Sequence, residues 1–239
     1  MRIENLNFAY GDKKIFQDLN MDMPKGVTCI MGGSGAGKTT LLNCISRQLD
    51  FDGNIAYDAI GDDCNNCINF AYVFQQPRLI PSMSVEDNIK FVLPRSLTKE
   101  QVKQKVDVVI AKLQLEDCRK SYPSKISGGQ ASRVSLARAL VTDSNILLLD
   151  EPFKGLDVKL KKDILNLLIP LIENKSVVFV THDVEEALAI ADKVFVFERK
   201  DGEAVMIKGC LDIEQKQAGR DIYGEQLNRA RKQIYELLL

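Results

Sequence analysis

Residues 27–40 read VTCIMGGSGAGKTT, an apolar run, a glycine-rich loop and the first residues of a helical pattern that continues as KTTLLNCISRQL. The loop GGSGAGKT at 32–39 fits G-x-x-x-x-G-K-[ST] in full, and the strand before it and helix after it are the context that pattern requires. The fold is thereby narrowed to a helix-flanked, mainly parallel sheet. Glycines let the backbone amides approach phosphate oxygens, Lys38 can reach the β- and γ-oxygens, and the Thr39 hydroxyl can ligate Mg²⁺.

A second anion-binding arrangement follows at 126–140, ISGGQASRVSLARAL, where a small Ser-Gly-Gly-Gln stretch runs into a helix carrying Arg133 and Arg138. Unpaired amides at a helix N-terminus, aided by the helix dipole, hold phosphate without a special side chain. One loop already suffices for a nucleotide, so the second needs its own explanation.

Three strand ends supply further candidates. ILLLDEPF at 146–153 finishes in Asp150 and Glu151; in such a sheet this edge faces the ligand crevice, so Asp150 can hold Mg²⁺ through water while Glu151 aims at an attacking water. Side chains alternate along a strand, so the two can serve one site only if the strand is ending, and Pro152 marks that end. The only histidine, His182, follows the strand SVVFVT and precedes a helical run, at the same edge, as a donor to the γ-phosphate. Gln75 closes INFAYVFQ, where an uncharged amide can hold water or Mg²⁺.

Other classes are disfavoured by composition. Lys+Arg and Asp+Glu total 32 and 33, so no basic footprint for nucleic acid exists. No apolar run approaches the roughly 20 residues of a membrane span, and MRIENLNFAY lacks the order of a signal peptide, so the chain is expected neither to span a membrane nor to be secreted. The six cysteines are irregularly spaced and read as reduced thiols; Cys64 and Cys67, in GDDCNNCINF, read as a surface turn between strands rather than half of a zinc site.

Along the chain, RIENLNFAY, QDLNMDM and VTCIM are β-rich, and INFAYVF is a further strand. Helical patterns occupy VEDNIKFV, KEQVKQKVDVVIAKLQL and GQASRVSLARALV, before the apolar strands NILLLD and SVVFVT alternate with helices. A parallel sheet interrupted by a helical insert between about 77 and 141 is expected. A final helix places Ile222, Leu227, Ala230, Ile234 and Leu238 on one stripe suited to core packing.

Taken in order, these motifs resemble the ATP-binding cassette (ABC) ATPases over essentially the whole chain. Tyr10 resembles the aromatic residue that stacks on adenine, and Gly32, Gly33, Ser34, Gly35, Ala36, Gly37, Lys38, Thr39 and Thr40 the Walker A loop. Gln75 resembles the Q-loop glutamine, and Ser127, Gly128, Gly129 and Gln130 the family signature. Asp150 and Glu151 look like the Walker B pair, Asp157 in KGLD the D-loop aspartate, and His182 the switch histidine. The resemblance implies an α/β P-loop NTPase core with a mainly parallel sheet, an N-terminal antiparallel β subdomain and an inserted α-helical subdomain. As one ABC ATPase domain over 1–239, it would divide into a nucleotide-binding core (1–76 and 142–218), a helical subdomain (77–141) and a C-terminal helix (219–239).

The implied cofactors are ATP and Mg²⁺, with Thr39, Gln75 and Asp150 at the metal and Glu151, His182, Gln75 and Lys38 catalytic. The resemblance also explains the second loop. Two copies pack head to tail, and each ATP lies between the Walker A loop of one and the SGGQ loop of the other, because an anionic phosphoryl-transfer transition state needs positive dipoles on several sides. An integral-membrane permease, and through it a solute-binding protein, are the further implied partners, without nucleic acid. The chain would sit on the inner face of the cell membrane, in the cytoplasm. QQPRLIPSMSVEDNIKFVLP resembles the surface that receives a permease, and together with THDVEEALAIAD it points to importers of the nitrate, sulfonate and taurine type. No extra regulatory domain of the kind carried by sugar-importer ATPases is expected. An exporter ATPase or a soluble, non-transport ABC ATPase remains the alternative. Ile126 and Ala131 depart from the usual signature, and FKGLD from the frequent FSALD.

Overall fold

A computed structural model of the chain describes residues 1–57, 68–172, 175–213, 220 and 224–239. The paired cysteines Cys64 and Cys67, and Ile222 of the last stripe, lie outside the described residues. The chain opens with β1 (Arg2–Tyr10) and β2 (Lys13–Asp22), an antiparallel pair that buries Ile3, Leu6, Ile15, Phe16, Leu19 and Met21, with register shifts that break strict alternation. The expected run QDLNMDM is therefore only the later part of a strand that starts at Lys13. The apolar run becomes β3 (Gly26–Gly32), the glycine loop follows, and α1 (Lys38–Ile45) leaves it. A short strand, β4 (Asp52–Ala56), returns to pair with β1, giving an antiparallel sheet of order β2-β1-β4.

The larger sheet contains β5 (Phe70–Val73), β6 (Ile146–Asp150), β7 (Ser176–Val180), β8 (Lys193–Glu198) and β9 (Met206–Asp212) besides β3, in the order β5-β6-β7-β3-β8-β9. All pairings in it are parallel except β8 with β9. Every residue of β6 and β7 is buried, because both faces of the sheet are covered; that is why these strands read as unbroken apolar runs rather than alternating ones. Leu147, Leu149, Val177 and Phe179 point into a core shared with the helices. Ile146, Leu148, Val178 and Val180 point into a second core that holds α1 and the antiparallel sheet.

Between β5 and β6 are inserted α2 (Val85–Lys90), α3 (Lys99–Lys112) and α4 (Gly128–Leu140), packed on one another. Ser84, Thr98 and Ser127 cap them, the last two through capping boxes with Gln101 and Gln130. Then α5 (Val158–Ile172) and α6 (Val184–Ile190) separate the later strands. The last helix, α7 (Glu225–Leu238), buries Leu227 and Ile234 against the sheet side and is tied to α6 by Arg231, whose Nε and Nη2 lie 2.7 and 2.9 Å from the two carboxylate oxygens of Glu185. This is an α/β P-loop NTPase fold with an N-terminal antiparallel sheet and inserted helices, as the motifs implied. Cys29, Cys44, Cys118 and Cys210 are free thiols. No helix among the described residues is long and apolar enough to cross a membrane.

Candidate functional site

The carboxyl ends of β3, β6 and β7 lie side by side, so the segments that leave them converge on one edge. There they line a cleft of about 540 Å³ together with Tyr10 at the end of β1. Its wall includes Gly32, Ser34 through Thr40, Gln75, Asp150, Glu151 and His182. Every residue expected at the phosphates and at the base except Gly33 lines this cleft, and the Gly33 carbonyl accepts from Lys38 of its wall. The chain does not bring Ser127, Gly128, Gly129 and Gln130 to this cleft. Gly128 and Gly129 line a separate groove with Pro77, Leu79 and Lys154, and Asp157 is exposed at the start of α5, where Oδ1 accepts from the Leu160 amide at 3.0 Å.

Two glycines make the loop possible. A side chain at Gly32 would meet the Phe197 carbonyl at 2.3 Å, and Gly37 has φ 76° with the Val205 side chain 2.9 Å from where a Cβ would stand. No side chain caps α1, which leaves its first amides available to an anion. The Lys38 ammonium is held by the carbonyls of Gly32 and Gly33, both at 2.8 Å. Burial lowers its pKa, and the nearby charges of Glu151 and Asp150 oppose that shift.

Asp150 is 3% exposed and accepts from the Thr39 hydroxyl at 2.7 Å. Burial raises its pKa, and the Thr39 hydrogen bond works the other way. A hard-oxygen pair of hydroxyl and carboxylate, one bond apart beside the phosphate loop, suits Mg²⁺. That ion keeps few protein ligands and is completed by phosphates and water, and among the described residues no acidic or His/Cys cluster offers a full protein cage instead.

Glu151 follows at φ 45°, a left-handed conformation uncommon outside glycine. Its amide still donates to the Val180 carbonyl at 2.9 Å. This turn, rather than Pro152 alone, brings two consecutive side chains to one cleft. Its carboxylate accepts on Oε2 from Gln75 Nε2 at 3.0 Å and Lys154 Nζ at 3.1 Å, and His182 Nδ1 stands 3.5 Å from Oε1. Burial raises the Glu151 pKa, but the hydrogen bonds from Lys154 and Gln75 and the Lys154 charge outweigh it, and the net shift is downward.

His182 stands on a turn that is fixed from behind. The Asp183 amide donates to Thr181 Oγ1 at 3.1 Å, and its carboxylate caps α6 through the amides of Glu185 and Glu186 at 2.9 and 3.3 Å. Lys161 of α5 reaches Asp183 at 2.9 Å and buried Glu186 at 2.6 Å, locking the two helices together. Tyr10 is 50% exposed at the cleft mouth, edge-on to Phe8.

Lys13, Ile15, Lys154 and Arg199 also line the cleft and were not singled out as site residues from the sequence. Arg199 arrives from beyond β8 and is held by the carbonyls of Lys14 and Glu203 at 2.9 and 3.0 Å. Only Lys154 carried a signal, as the departure in FKGLD next to Glu151.

The chain matches the family described as ABC transporter over residues 16–154. It is 37% identical to the Fe(3+) ions import ATP-binding protein FbpC of Fusobacterium nucleatum, across 91% of this chain and 60% of that protein. It is 36% identical to the sulfate/thiosulfate import ATP-binding protein CysA of Bacillus cereus, across 100% of this chain and 66% of that protein. The chain thus spans less than two thirds of the length of these relatives. A dimeric structure of the ATP-binding cassette MJ0796 in a post-hydrolysis state with ADP and Pi superimposes with a TM-score of 0.75 at 28% identity, covering 90% of this chain and 99% of that one. The nitrate, sulfonate and taurine subgroup is thereby corrected, since these relatives are named for ferric ion and for sulfate or thiosulfate. The two stretches on which that subgroup rested adjoin Gln75 and His182, at the edge of the cleft.

Proposed function

The chain belongs to the ABC transporter family, and from that premise we propose that it binds and hydrolyses ATP and couples this to solute import through a separate permease. One observation carries the reading: Lys38, Thr39, Gln75, Asp150, Glu151 and His182, from four separate segments, line a single cleft beside the glycine loop. The loop amides and Lys38 take the phosphates, and Tyr10 takes the base. Thr39 and Asp150, with Gln75 in reach, would hold Mg²⁺, which would supply charge neutralisation at the phosphates. Glu151 accepts the proton of the attacking water, Gln75 orients that water, and His182 donates to the γ-phosphate as charge develops.

The SGGQ loop serves the nucleotide of a second copy. In support, a Cβ on Gly128 would meet nothing within 4 Å, and one on Gly129 would meet Leu156 at an ordinary 3.5 Å, so packing within this chain does not require either glycine. Ser127 Oγ accepts from the Gln130 amide at 3.2 Å, which leaves its O–H free to donate to an anion. Asp157 directly follows Gly155 and Leu156, which lie 3.7 and 3.5 Å from where a Cβ on Gly129 would stand.

Residues 76–94 are the docking surface for the permease. Asn88, fully buried, fixes the segment by bonding the Ile80 amide at 2.8 Å and the carbonyls of Ile80, Met83 and Ser84 at 3.1 Å each. Beside it, Phe74 stacks on Tyr72 and carries the Arg78 guanidinium 3.9 Å above its ring, lining a cavity of about 230 Å³, while Phe91 is 59% exposed. The solute is then chosen by the permease and a solute-binding protein, which agrees with relatives named for cargoes as unlike as ferric ion and sulfate. The test is Mg²⁺-dependent ATP hydrolysis by the purified chain, together with identification of the membrane protein that co-purifies with it. A chain that hydrolyses no ATP, or that co-purifies with no membrane protein, overturns the proposal.

A further inference from the structure

Three side-chain nitrogens surround the Glu151 carboxylate, and the nucleotide motifs account for two of them. Gln75 and His182 have their roles above; the third, Lys154, has none. Of the cleft cations, Lys38 is held by two loop carbonyls and Arg199 by two others; Lys154, and not Lys13, is paired with Glu151, and among the described residues that carboxylate, at 3.1 Å, is the one partner of its ammonium. Its side chain is 56% exposed, on a flexible four-carbon stem, and it borders both the phosphate cleft and the groove that holds Gly128 and Gly129. An i,i+3 pair this exposed contributes little to folding, so stability is a weak reason for a lysine here. A terminal phosphate placed beside Glu151 has more charge than a carboxylate and offers three oxygens, and it competes for the same ammonium.

Resting on the ATP reading above, the geometry points to Lys154 as a further nucleotide-binding residue, one that takes the outermost phosphate of a triphosphate and so separates ATP from ADP. A diphosphate ends deeper in the loop and leaves Lys154 on Glu151. The ammonium swings without any proton or bond changing hands.

Calorimetric titration with ATP and with ADP, Mg²⁺ withheld so that neither turns over, tests this on the wild type, Lys154→Met and Lys154→Arg. The methionine variant is expected to lose about tenfold in ATP affinity, the scale of one hydrogen bond between charged groups, with ADP affinity unchanged. The arginine variant should keep the wild-type preference. Should methionine at this position fail to fold, Lys154→Gln replaces it in the same comparison. Equal losses for both nucleotides, or no loss for ATP, overturn the assignment. A wild type that binds neither nucleotide overturns the ATP reading itself, an outcome distinct from a wild type that binds both and a variant that matches it.

Discussion

Thr39 and Asp150, 111 residues apart in sequence, are joined by a 2.7 Å hydrogen bond from Thr39 Oγ1 to Asp150 Oδ2. It ties the first turn of α1 to the end of β6 and places the two oxygens suited to Mg²⁺ side by side. Thr39→Ala leaves a buried carboxylate without that donor and should cost about 1–3 kcal/mol in denaturant unfolding. Asp150→Asn keeps the shape but removes the charge, and Mg²⁺-dependent hydrolysis should fall about 100-fold or more. Undiminished hydrolysis by Asp150→Asn would take the aspartate out of the metal site.

Tyr10→Ala should weaken ATP binding by about 1–3 kcal/mol, the scale of base–aromatic stacking, while affinity for inorganic pyrophosphate stays the same. Equilibrium titrations with the two ligands decide it. If Tyr10 serves only its sheet and Phe8, ATP affinity survives and the melting temperature drops instead.

A charge at Phe91 tests the docking surface more cleanly than one at Leu79, which is partly buried against the helical core. Phe91→Glu should give a folded chain with wild-type basal hydrolysis that no longer retains its permease or supports transport. Unfolding of this variant would return Phe91 to the packing of the inserted helices.

Glu86 sets the acid limit of the inserted helices. It is 5% exposed and accepts from Arg119 Nε and Nη2 at 3.0 and 2.9 Å, which holds its carboxyl well below the usual carboxylate range against the opposing effect of burial. Its contribution is therefore complete above the unfolded-state pKa of about 4.3 and is lost as pH falls from there toward the depressed folded value, because the unfolded chain binds more protons in that window. Glu86→Gln should cost about 1.5–3 kcal/mol at neutral pH. The gap from wild type should close on acidification below that range, as unfolding curves at several pH values would record.

The parts legible in the sequence were those where burial or chemistry left a strong local pattern. β3, β6 and β7 announce themselves because both faces are covered, and the glycine loop because phosphate binding demands its spacing. β4 left no such trace: only Ile55 of its five residues is buried. β9, MIKGCLD, is an edge strand with no fully buried residue, and it too has no apolar period to read. Lys13 reaches the cleft as the residue opposite Tyr10 across the β1–β2 turn, and Arg199 by following β8, which pairs with the distant β3; neither lies in a motif that marks it. The positive φ of Glu151 likewise depends on how β6 ends beside β7. The solute subgroup was misread because the two stretches it rested on adjoin the cleft residues Gln75 and His182, and their local pattern does not separate one import subgroup from another.

The central claim, that ATP is shared between two copies, is tested most directly with Glu151→Gln. Removing the general base should slow hydrolysis about 10²- to 10⁴-fold while ATP still binds. Sedimentation velocity of this variant should then show a dimer with ATP and a monomer with ADP, and Ser127→Arg, which fills the signature loop, should abolish the dimer without lowering ATP affinity in the monomer. A Glu151→Gln chain that stays monomeric with ATP bound, or one that turns over at the wild-type rate, would contradict the account.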